Sequence, residues 1–322
     1  MISATKQPFQ SRARLSAIGS YVPDGKITNA DLEKMVVTDN EWIVRRTGIE
    51  LRHQAAPEQT TSDLAIAAAR DLLSRFPAVD ASRIDGIIVA TTTPEMPFPS
   101  VASKVQQAVG AARCLAVDVS AACAGFVSAL QMANGLILSG AYRSVLVIGA
   151  ETLTKITDYT DRSTCILFGD GAGAVLVEAS DSGAFLASNA STDGSGGMQV
   201  YCIPNEKIVQ NGREVYKWAL STVPDGVRHL LGQAGMTVGE LDWFVPHSAN
   251  LRMIEAICER LGLPEDKALQ SVVHNGNTSA ATIPLALDAA YKEGKLQSGQ
   301  LAALYGFGSG LTQSGLLLRW TI

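Results

Sequence analysis

The feature that most constrains the fold is an internal repeat of one α/β pattern. In the first half, DGIIVATTT leads to AVDVSAACAGFVSALQMANGLILSG and then to SVLVIGAE. In the second half, LDWFVPHSAN leads to LQSVVHNGNTSAATIPLALDAAYKEG and then to LAALYGFGSG. Each half indicates a strand, a helix, a strand ending in small residues, a buried helix and a further strand. Two unrelated βαβ units would also fit. The pattern favours a layered α/β chain, and we place the boundary between the halves, 1–180 and 181–322, near residue 180.

Local sequence supports the same class of fold. Short runs rich in β-branched residues at 87–93 and 145–149 predict buried strands, and the segments 64–76 and 122–138 predict helices. Strands that alternate with helices in this way are typical of a largely parallel sheet covered by helices.

Composition excludes several classes of protein. Of the 322 residues, 47% are hydrophobic and 18% are charged, which is ordinary for a globular chain. The net charge of −5 makes nucleic acid an unexpected partner. No run of 18 apolar residues occurs, so we expect no membrane span.

The cysteines point to a reducing compartment. There are five, they are scattered, and no CxxC pair occurs, so neither a disulfide framework nor a metal site is expected. The first dozen residues are expected to be a loose basic extension. No apolar segment follows them, so we expect no secretory signal and a cytoplasmic protein.

Cys123 is the candidate nucleophile. It lies in VSAACAGF, between the predicted strand LAVDV and an apolar helix. A helix N-terminus favours a thiolate, because its N–H groups and dipole stabilise negative charge. A buried structural cysteine would fit this segment equally well. The other cysteines lack the small-residue setting and are predicted to be structural: Cys114, Cys165, Cys202 and Cys258.

Two polar residues of the second half are candidates for the same site. His247 in VPHSANLR follows the strand DWFV and precedes an amphipathic helix, a position that suits a cleft. Asn277 in HNGNTSAA enters a helix of small residues, where the repeat matches it with Cys123. Each has an ordinary alternative, His247 as a surface or capping residue and Asn277 as a turn or N-cap residue.

Two glycine-rich segments, FGDGAGA (168–174) and YGFGSG (305–310), need an interpretation. Neither has the GxGxxG spacing or the lysine of a P-loop, so nucleotide binding through them is not expected. They fit close backbone packing or backbone N–H groups directed at an oxyanion. For YGFGSG we favour the oxyanion, because it follows the Asn277 unit in the repeat.

From about residue 15 to the C-terminus, the chain resembles β-ketoacyl-acyl carrier protein synthase III, the family that starts bacterial fatty-acid synthesis. The motifs that carry the resemblance are, in order, TNADLEKMV, EWIVRRTGI, FPSVAS, AACAGF, TDYTDRST, FGDGAGA, LDWFVPHSANLR, GNTSAA and GFGSGLTQSG. The resemblance implies a thiolase-like fold of two pseudo-symmetric βαβαβαββ halves in five α-β-α-β-α layers. It also implies a homodimer with a Cys-His-Asn triad.

The resemblance assigns roles by motif. Cys123 is implied to be the nucleophile, with His247 and Asn277 assisting, and the backbone N–H groups of Cys123 and Ser309 are implied to bind the oxyanion. The substrate-binding positions that it implies are Trp42, Arg46, Arg162, Asn250 and Arg252 around CoA and pantetheine, and Phe98, which reaches across the dimer to the acyl pocket.

The implied reaction joins an acyl group from acyl-CoA to malonyl-acyl carrier protein, with loss of CO₂. Acyl-CoA is then a substrate, and no cofactor or metal is expected. A related acyltransferase, or a condensing enzyme of secondary metabolism, could use the same three residues. Three other classes of enzyme do not fit this chain. Biosynthetic thiolases need a second cysteine in the C-terminal region, where this chain has none after Cys258, and elongating synthases use Cys-His-His, whereas the third residue here is Asn277. The CGSCW signature of papain-like proteases is absent.

Three departures from the family pattern stand near the site. The family usually has GGG where this chain has Gly308-Ser309-Gly310, and it often has Gln where this chain has Ser248. The Cβ of Ser309 is expected to strain a glycine conformation. The segment 197–211 is shorter than usual and is expected to alter the mouth of the acyl tunnel.

Overall fold

Two β-sheets carry the fold of residues 9–322, which are the residues described in the computed structural model. Residues 1–8, most of the expected N-terminal extension, lie outside the described part. The strands are β1 Ala13–Tyr21, β2 Gly25–Thr28, β3 Leu51–Gln54, β4 Gly86–Ala90, β5 Leu115–Val119, β6 Ser144–Thr152, β7 Asp170–Ala179, β8 Phe185–Thr192, β9 Val200–Tyr201, β10 Val209–Gln210, β11 Trp243–Pro246, β12 Leu301–Gly308 and β13 Thr312–Arg319. The helices are α1 Asn29–Leu32, α2 Asn40–Thr47, α3 Thr61–Arg75, α4 Val101–Val109, α5 Gly125–Leu138, α6 Arg162–Cys165, α7 Gly212–Gln233, α8 Leu251–Leu261, α9 Val272–Asn275 and α10 Thr282–Lys292.

Each half of the chain builds one large sheet. The first has the order β1-β7-β6-β4-β5, with β4 parallel to both β5 and β6. The second has the order β11-β12-β13-β8, with β11 parallel to β12. The change of sheet falls between Ala179 and Phe185. The division into units 1–180 and 181–322 stays a prediction.

The two sheets are separated by a layer of buried helices. Along β4, Ile87 and Val89 pack with α3 and α4, whereas Ile88 and Ala90 pack with α5 and α10. Successive side chains of a strand point to opposite faces, so these two helix pairs cover opposite faces of the first sheet. Helix α5 also contacts β12 and β13, while α7 and α8 pack on the second sheet. The predicted order of five layers, α-β-α-β-α, is confirmed.

The two halves differ at one strand. The first half follows βαβαβαββ through β1, α3, β4, α4, β5, α5, β6 and β7. In the second half, the strand predicted at LQSVV is reduced to an isolated bridge between Phe244 and Ala268. Side chains take the bonds that a ladder would need: the N–H of Ser271 donates to Ser248 Oγ (3.1 Å), and Ser271 Oγ donates to the Thr282 carbonyl (2.9 Å).

The strand predicted at 87–93 ends early, at Ala90. The N–H of Thr92 donates to both carboxylate oxygens of Glu151 (3.2 and 3.1 Å), and Thr93 Oγ1 donates to Oε2 (2.5 Å). Glu151 is fully buried. A buried carboxylate needs several donors, and the chain bends around it to supply them instead of extending the ladder.

No helix within residues 9–322 is long and apolar enough to cross a membrane.

We predict that Gly149 in β6 tolerates no side chain. A Cβ atom there would overlap the carbonyl oxygen of Ala280, which belongs to the other half of the chain. Gly149→Ala should therefore lower the free energy of unfolding by about 1–3 kcal/mol, measured by urea denaturation. Gly232→Ala is the matched control, because Gly232 lies in α7 with open space around it. That change should raise stability by roughly 0.5–1 kcal/mol. Equal stability of the two variants would contradict this account of how the halves meet.

Candidate active site

Residues from both halves line one cavity of about 1150 Å³. Cys123 comes from the first half, and His247 and Asn277 come from the second. They meet because the short 3₁₀ turns Ala122–Ala124 and Ser279–Ala281, which precede the two central helices α5 and α10, are in contact. The sequence therefore identified three side chains that the fold brings to one place.

The two turns share an unusual backbone. Ala122 has φ 45° and Ser279 has φ 47°, a left-handed conformation that is uncommon for residues other than glycine. The left-handed residue is the first of each turn, and the second residue is Cys123 in one turn and Ala280 in the other. Cys123 and Ala280 therefore occupy equivalent positions. The match of Cys123 with Asn277, drawn from the sequence repeat, is therefore wrong by three residues. Asn277 lies just before the equivalent turn.

Glycines of β12 let the second sheet approach the nucleophile. A Cβ atom on Gly308 would lie 3.1 Å from Cys123 Sγ, and one on Gly306 would lie 2.8 Å from the Cα of Ala124. The contact at Gly306 is closer than a Cβ atom can approach, and the contact at Gly308 would force its neighbour to shift by a few tenths of an ångström. The YGFGSG segment thus packs closely against Cys123, and this proximity also leaves its backbone near any oxygen bound at the sulfur.

The thiol of Cys123 is protonated in the free protein. Burial raises the pKa of Cys123 to about 12. The Ser279 hydroxyl, 3.5 Å from Sγ, acts in the opposite direction, while the Glu151 carboxylate raises the pKa further. The sulfur reaches the cavity, yet protein surrounds it closely enough for desolvation to outweigh the helix N-terminus.

His247 is held rigidly at the end of β11. Its backbone N–H donates to the carbonyl of Tyr305 (2.8 Å), and its ring meets Phe307 edge to face with centroids 5.4 Å apart. Ring atom Nδ1 lies 2.8 Å from Thr282 Oγ1. Burial lowers the pKa of His247 to about 3, so the imidazole is neutral at physiological pH. A neutral ring carries one proton, on either Nδ1 or Nε2.

Asn277 is oriented by its own backbone surroundings. Its side-chain Oδ1 accepts from the N–H of Ser279 (2.9 Å). Its main chain pairs with the segment 167–169, from Asn277 N–H to the Leu167 carbonyl (2.8 Å) and from Gly169 N–H to the Asn277 carbonyl (3.1 Å). With Oδ1 occupied, the amide group retains its NH₂ as a donor.

The FGDGAGA segment (168–174) packs closely against the backbone near Asn277, because a Cβ atom on Gly169 would overlap the Asn275 carbonyl.

Ser309 fits its position without strain. It is absent from the residues with positive φ, so the expected cost of its Cβ is wrong. Its hydroxyl donates to the Val200 carbonyl (2.6 Å). This bond ties the loop after β12 to the β9–β10 hairpin, which forms most of the short segment 197–211. Ser248 is also accommodated, since its buried hydroxyl accepts from Ser271.

Two guanidinium groups lie close to an indole ring at the cavity mouth. Trp42 lies on α2, with the Cζ of Arg162 4.6 Å and the Cζ of Arg46 5.9 Å from its ring centroid. Arg162 also donates to the carbonyl of Val37 (3.0 Å). Cation–π contacts of this kind are modest at a solvent-exposed site and leave the guanidinium N–H groups available to an anion.

Asn250 and Arg252 line the cavity but are engaged within the protein. Asn250 caps α8 by accepting from the N–H of Arg252 (2.8 Å). The guanidinium of Arg252 donates to both oxygens of Glu255 (2.8 and 2.8 Å) and to the Arg45 carbonyl (3.2 Å). In this state both residues hold α2 and α8 together. Their roles toward CoA stay predictions.

Phe98 does not line the cavity of its own chain. Its side chain is 83% exposed, in the loop before α4. That loop lies beside the edge strand β5, because the Asp118 carboxylate of β5 accepts from the N–H of Val101 at the start of α4 (2.7 Å). The role implied for Phe98, across a dimer, stays a prediction.

The sequence did not indicate several residues of the site. Arg213 and Lys217 reach the mouth from the first turns of α7, where two basic residues at the start of an amphipathic helix were the available signal. Cys202 is exposed and lines the cavity, so its assignment as a structural cysteine is wrong, whereas Cys165 and Cys258 are buried.

We predict that alkylation of Cys123 will rise with pH and show no plateau below pH 10. Because burial raises the pKa of this thiol to about 12, the thiolate fraction at neutral pH is small and grows about tenfold per pH unit. The rate with iodoacetamide should be measured by peptide mapping, so that Cys202 is followed separately. A plateau for Cys123 below pH 8 would show that the site stabilises a resting thiolate.

Comparison with known proteins agrees with this geometry. The family model described as 3-oxoacyl-[acyl-carrier-protein (ACP)] synthase III matches residues 117–194, and the model of its C-terminal part matches residues 231–320. These ranges contain the three candidate residues of the cavity. Beta-ketoacyl-[acyl-carrier-protein] synthase III 2 of Halalkalibacterium halodurans is 53% identical, over 97% of this chain and 98% of that protein.

Solved structures show the same likeness. The crystal structure of 3-oxoacyl-[acyl-carrier-protein] synthase III from Aquifex aeolicus superposes with a TM-score of 0.93 at 42% identity, covering 96% of this chain and all of that one. The priming β-ketosynthase of the R1128 polyketide pathway gives a TM-score of 0.92 at 35% identity, covering 99% of each chain. The chain therefore belongs to the β-ketoacyl-acyl carrier protein synthase III family.

Proposed function

We propose that the protein condenses a short acyl group from acyl-CoA with malonyl-acyl carrier protein, and so initiates fatty-acid synthesis. The observation that carries the proposal is the lining of one cavity. A thiol from one half of the chain shares this cavity with an amide and an imidazole from the other half. This set can form a thioester and also stabilise an enolate next to it.

The first half-reaction transfers the acyl group to Cys123. The sulfur attacks the thioester carbonyl of acyl-CoA, the bond from carbon to the CoA sulfur breaks, and CoA leaves with the thiol proton. Backbone N–H groups of Cys123 and Ser309 are the proposed donors to the tetrahedral oxyanion. The close approach of Gly308 to Cys123 supports this, because the residue that follows Gly308 is Ser309 and the acyl carbon is bonded to Cys123 Sγ in the intermediate.

The second half-reaction forms the carbon–carbon bond. His247 and Asn277 donate hydrogen bonds to the thioester oxygen of malonyl-acyl carrier protein, CO₂ leaves, and the resulting enolate attacks the acyl-Cys123 carbonyl. The sulfur of Cys123 departs as a thiolate and takes a proton from solvent water. The proposed steps use a thiol, backbone N–H groups, an imidazole and an amide of the protein, so we expect acyl-CoA to be a substrate and no resident cofactor.

The charge of the cavity supports phosphate-bearing substrates. Among the described residues that line it, five are basic and none is acidic; the basic ones are Arg46, Arg162, Arg213, Lys217 and Arg252. The whole chain carries a net charge of −5, so this concentration of positive charge is local. A basic mouth attracts the phosphates of CoA and an acidic carrier protein.

The β9–β10 hairpin is the proposed determinant of primer length. Val200, Tyr201 and Ile208 of this short segment contribute apolar surface to the cavity. The hydrogen bond from the Ser309 hydroxyl to the Val200 carbonyl fixes the hairpin relative to the loop after β12. Because this segment is short, fewer of its side chains can move to enlarge the tunnel, and the length of acyl primer that fits is therefore limited.

A homodimer formed through β5 is the proposed assembly. Strand β5 is the edge of the first sheet, and an unpaired edge is a template for another strand. Apolar side chains are exposed near it, with Phe98 83% and Val117 37% accessible. Covering this edge would bring Phe98 to the partner.

The cytoplasm is the proposed location of the protein, because its cysteines are free rather than joined in disulfides.

The alternatives of an ester-forming acyltransferase and of a condensing enzyme of secondary metabolism are less well supported. Several of the similar proteins compared carry the name of the synthase at about 50% identity over nearly the whole chain.

We predict that Asn277→Ala separates the two half-reactions. The variant should still form the acyl-enzyme from acetyl-CoA, because Asn277 donates only to the malonyl thioester in this mechanism. Release of CO₂ from malonyl-acyl carrier protein should fall about 10²–10³-fold, the usual cost of losing one donor to developing charge. Cys123→Ala is the control that abolishes acylation. Near-normal condensation by Asn277→Ala would leave Asn277 as a turn residue and would contradict the proposal.

We also predict that Arg46→Ala and Arg162→Ala weaken binding of acyl-CoA. The KM for acyl-CoA should rise roughly three- to tenfold, because each loss removes a charge-assisted hydrogen bond to phosphate from a partly exposed site. Acylation from an acyl-pantetheine thioester, which lacks the nucleotide, should be unchanged, and the effect on acyl-CoA should shrink at high salt. Arg83→Ala, an exposed arginine outside the cavity, is the control. Equal losses with both substrates would remove these arginines from the CoA site.

A further inference from the structure

Thr282 is the hydrogen-bond partner of the buried nitrogen of His247. Its Oγ1 lies 2.8 Å from Nδ1, Thr282 is fully buried, and His247 is 2% exposed. The contact is therefore closed to solvent. Thr282 is the first residue of α10 and comes directly after the Ser279–Ala281 turn.

The direction of this hydrogen bond decides what His247 can do in the cavity. A hydroxyl has one hydrogen to donate, and Thr282 Oγ1 also lies 2.9 Å from the Ser279 carbonyl oxygen. If the hydrogen goes to that carbonyl, Nδ1 carries the ring proton and Nε2 presents a lone pair. If the hydrogen goes to Nδ1, Nε2 carries the proton and becomes a donor.

The surroundings favour the second arrangement. The Ser279 carbonyl already accepts from the backbone N–H of Thr282, so it keeps a partner when the hydroxyl turns to the imidazole. Asn277 Oδ1 is likewise occupied by the Ser279 N–H, which leaves its NH₂ as a donor. Only with a proton on Nε2 do His247 and Asn277 form a pair of donors for one developing oxyanion.

We propose that Thr282 is a positioning residue: its hydroxyl donates to Nδ1 of His247 and so holds Nε2 as an N–H donor for decarboxylation. The inference rests on the proposed function for its catalytic consequence, but the tautomer itself can be observed without turnover. Burial keeps the ring neutral, so the choice of tautomer is not overridden by a second proton.

The first test is the tautomer of His247 in the intact protein. Protein labelled with ¹⁵N-histidine contains four histidines, and a His247→Gln variant identifies the signals of His247. The expected spectrum has a protonated Nε2 and an unprotonated, hydrogen-bonded Nδ1, unchanged from pH 5 to pH 9. A protonated Nδ1 with an unprotonated Nε2 would overturn the proposal, even in an enzyme that condenses acyl groups as proposed above.

The second test separates positioning from packing. Thr282→Val keeps the shape of the side chain and removes the hydroxyl, whereas Thr282→Ser keeps the hydroxyl. Release of CO₂ from malonyl-acyl carrier protein should fall tenfold or more in Thr282→Val, with acylation by acetyl-CoA within threefold of the unaltered protein. Thr282→Ser should restore decarboxylation to within threefold. Equal losses in both half-reactions, or wild-type decarboxylation by Thr282→Val, would reduce Thr282 to a packing residue. If Thr282→Val does not fold, the tautomer seen in the spectrum of the unaltered protein still decides the question.

Discussion

The structure depends on the contact between two short turns in its central layer. The turns Ala122–Ala124 and Ser279–Ala281 precede the buried helices α5 and α10 and lie against each other, with Cys123 Sγ 3.5 Å from Ser279 Oγ. Glycines make the approach possible: Gly149 in β6 passes against the Ala280 carbonyl, and Gly308 passes against Cys123. The two sheets, the five layers and the cavity follow from this meeting of two similar halves. It also explains why a nucleophile carried by one half can face donors carried by the other.

Burial sets the chemistry at this contact. It raises the pKa of Cys123 and lowers that of His247, so both side chains are neutral in the free protein. A neutral thiol and a neutral imidazole avoid the desolvation cost of a buried ion pair, which is several kcal/mol per charge. The site therefore relies on oriented hydrogen-bond donors, each with its other polar atom already satisfied. Asn277 and His247 share this design, through Ser279 and Thr282 respectively. The charged groups stand at the mouth, where water reduces their cost and phosphates are expected to bind.

Patterns of residues along the chain predicted the fold class and the place of the three central side chains. The alternation of apolar runs predicted sheets covered by helices, and strand ends and helix starts made Cys123, His247 and Asn277 candidates. The family resemblance then implied the five layers and joined the three residues in one site. Features set by distant contacts were beyond local patterns. The protonation of Cys123 depends on packing from both halves, and the loss of a strand near Ala268 depends on Ser248 and Ser271. The hydrogen bond from Arg252 to the Arg45 carbonyl likewise needs α2 and α8 side by side. Ser309 is a case in which a local pattern predicted strain that the fold does not show. The family usually has glycine at this position, but the Ser309 hydroxyl donates a hydrogen bond to the Val200 carbonyl.

The central claim is that one cavity couples formation of an acyl-Cys123 thioester to carbon–carbon bond formation. Mass spectrometry of the carrier protein tests it most directly, after incubation of the enzyme with a panel of ¹³C-labelled acyl-CoA primers and malonyl-acyl carrier protein. The account predicts a carrier-bound 3-oxoacyl chain that contains the labelled acyl group and two malonyl carbons, with one CoA released per product. The Cys123→Ala variant should form no such chain. A labelled acyl group joined through oxygen, or a stable acyl adduct on a cysteine other than Cys123, would contradict it.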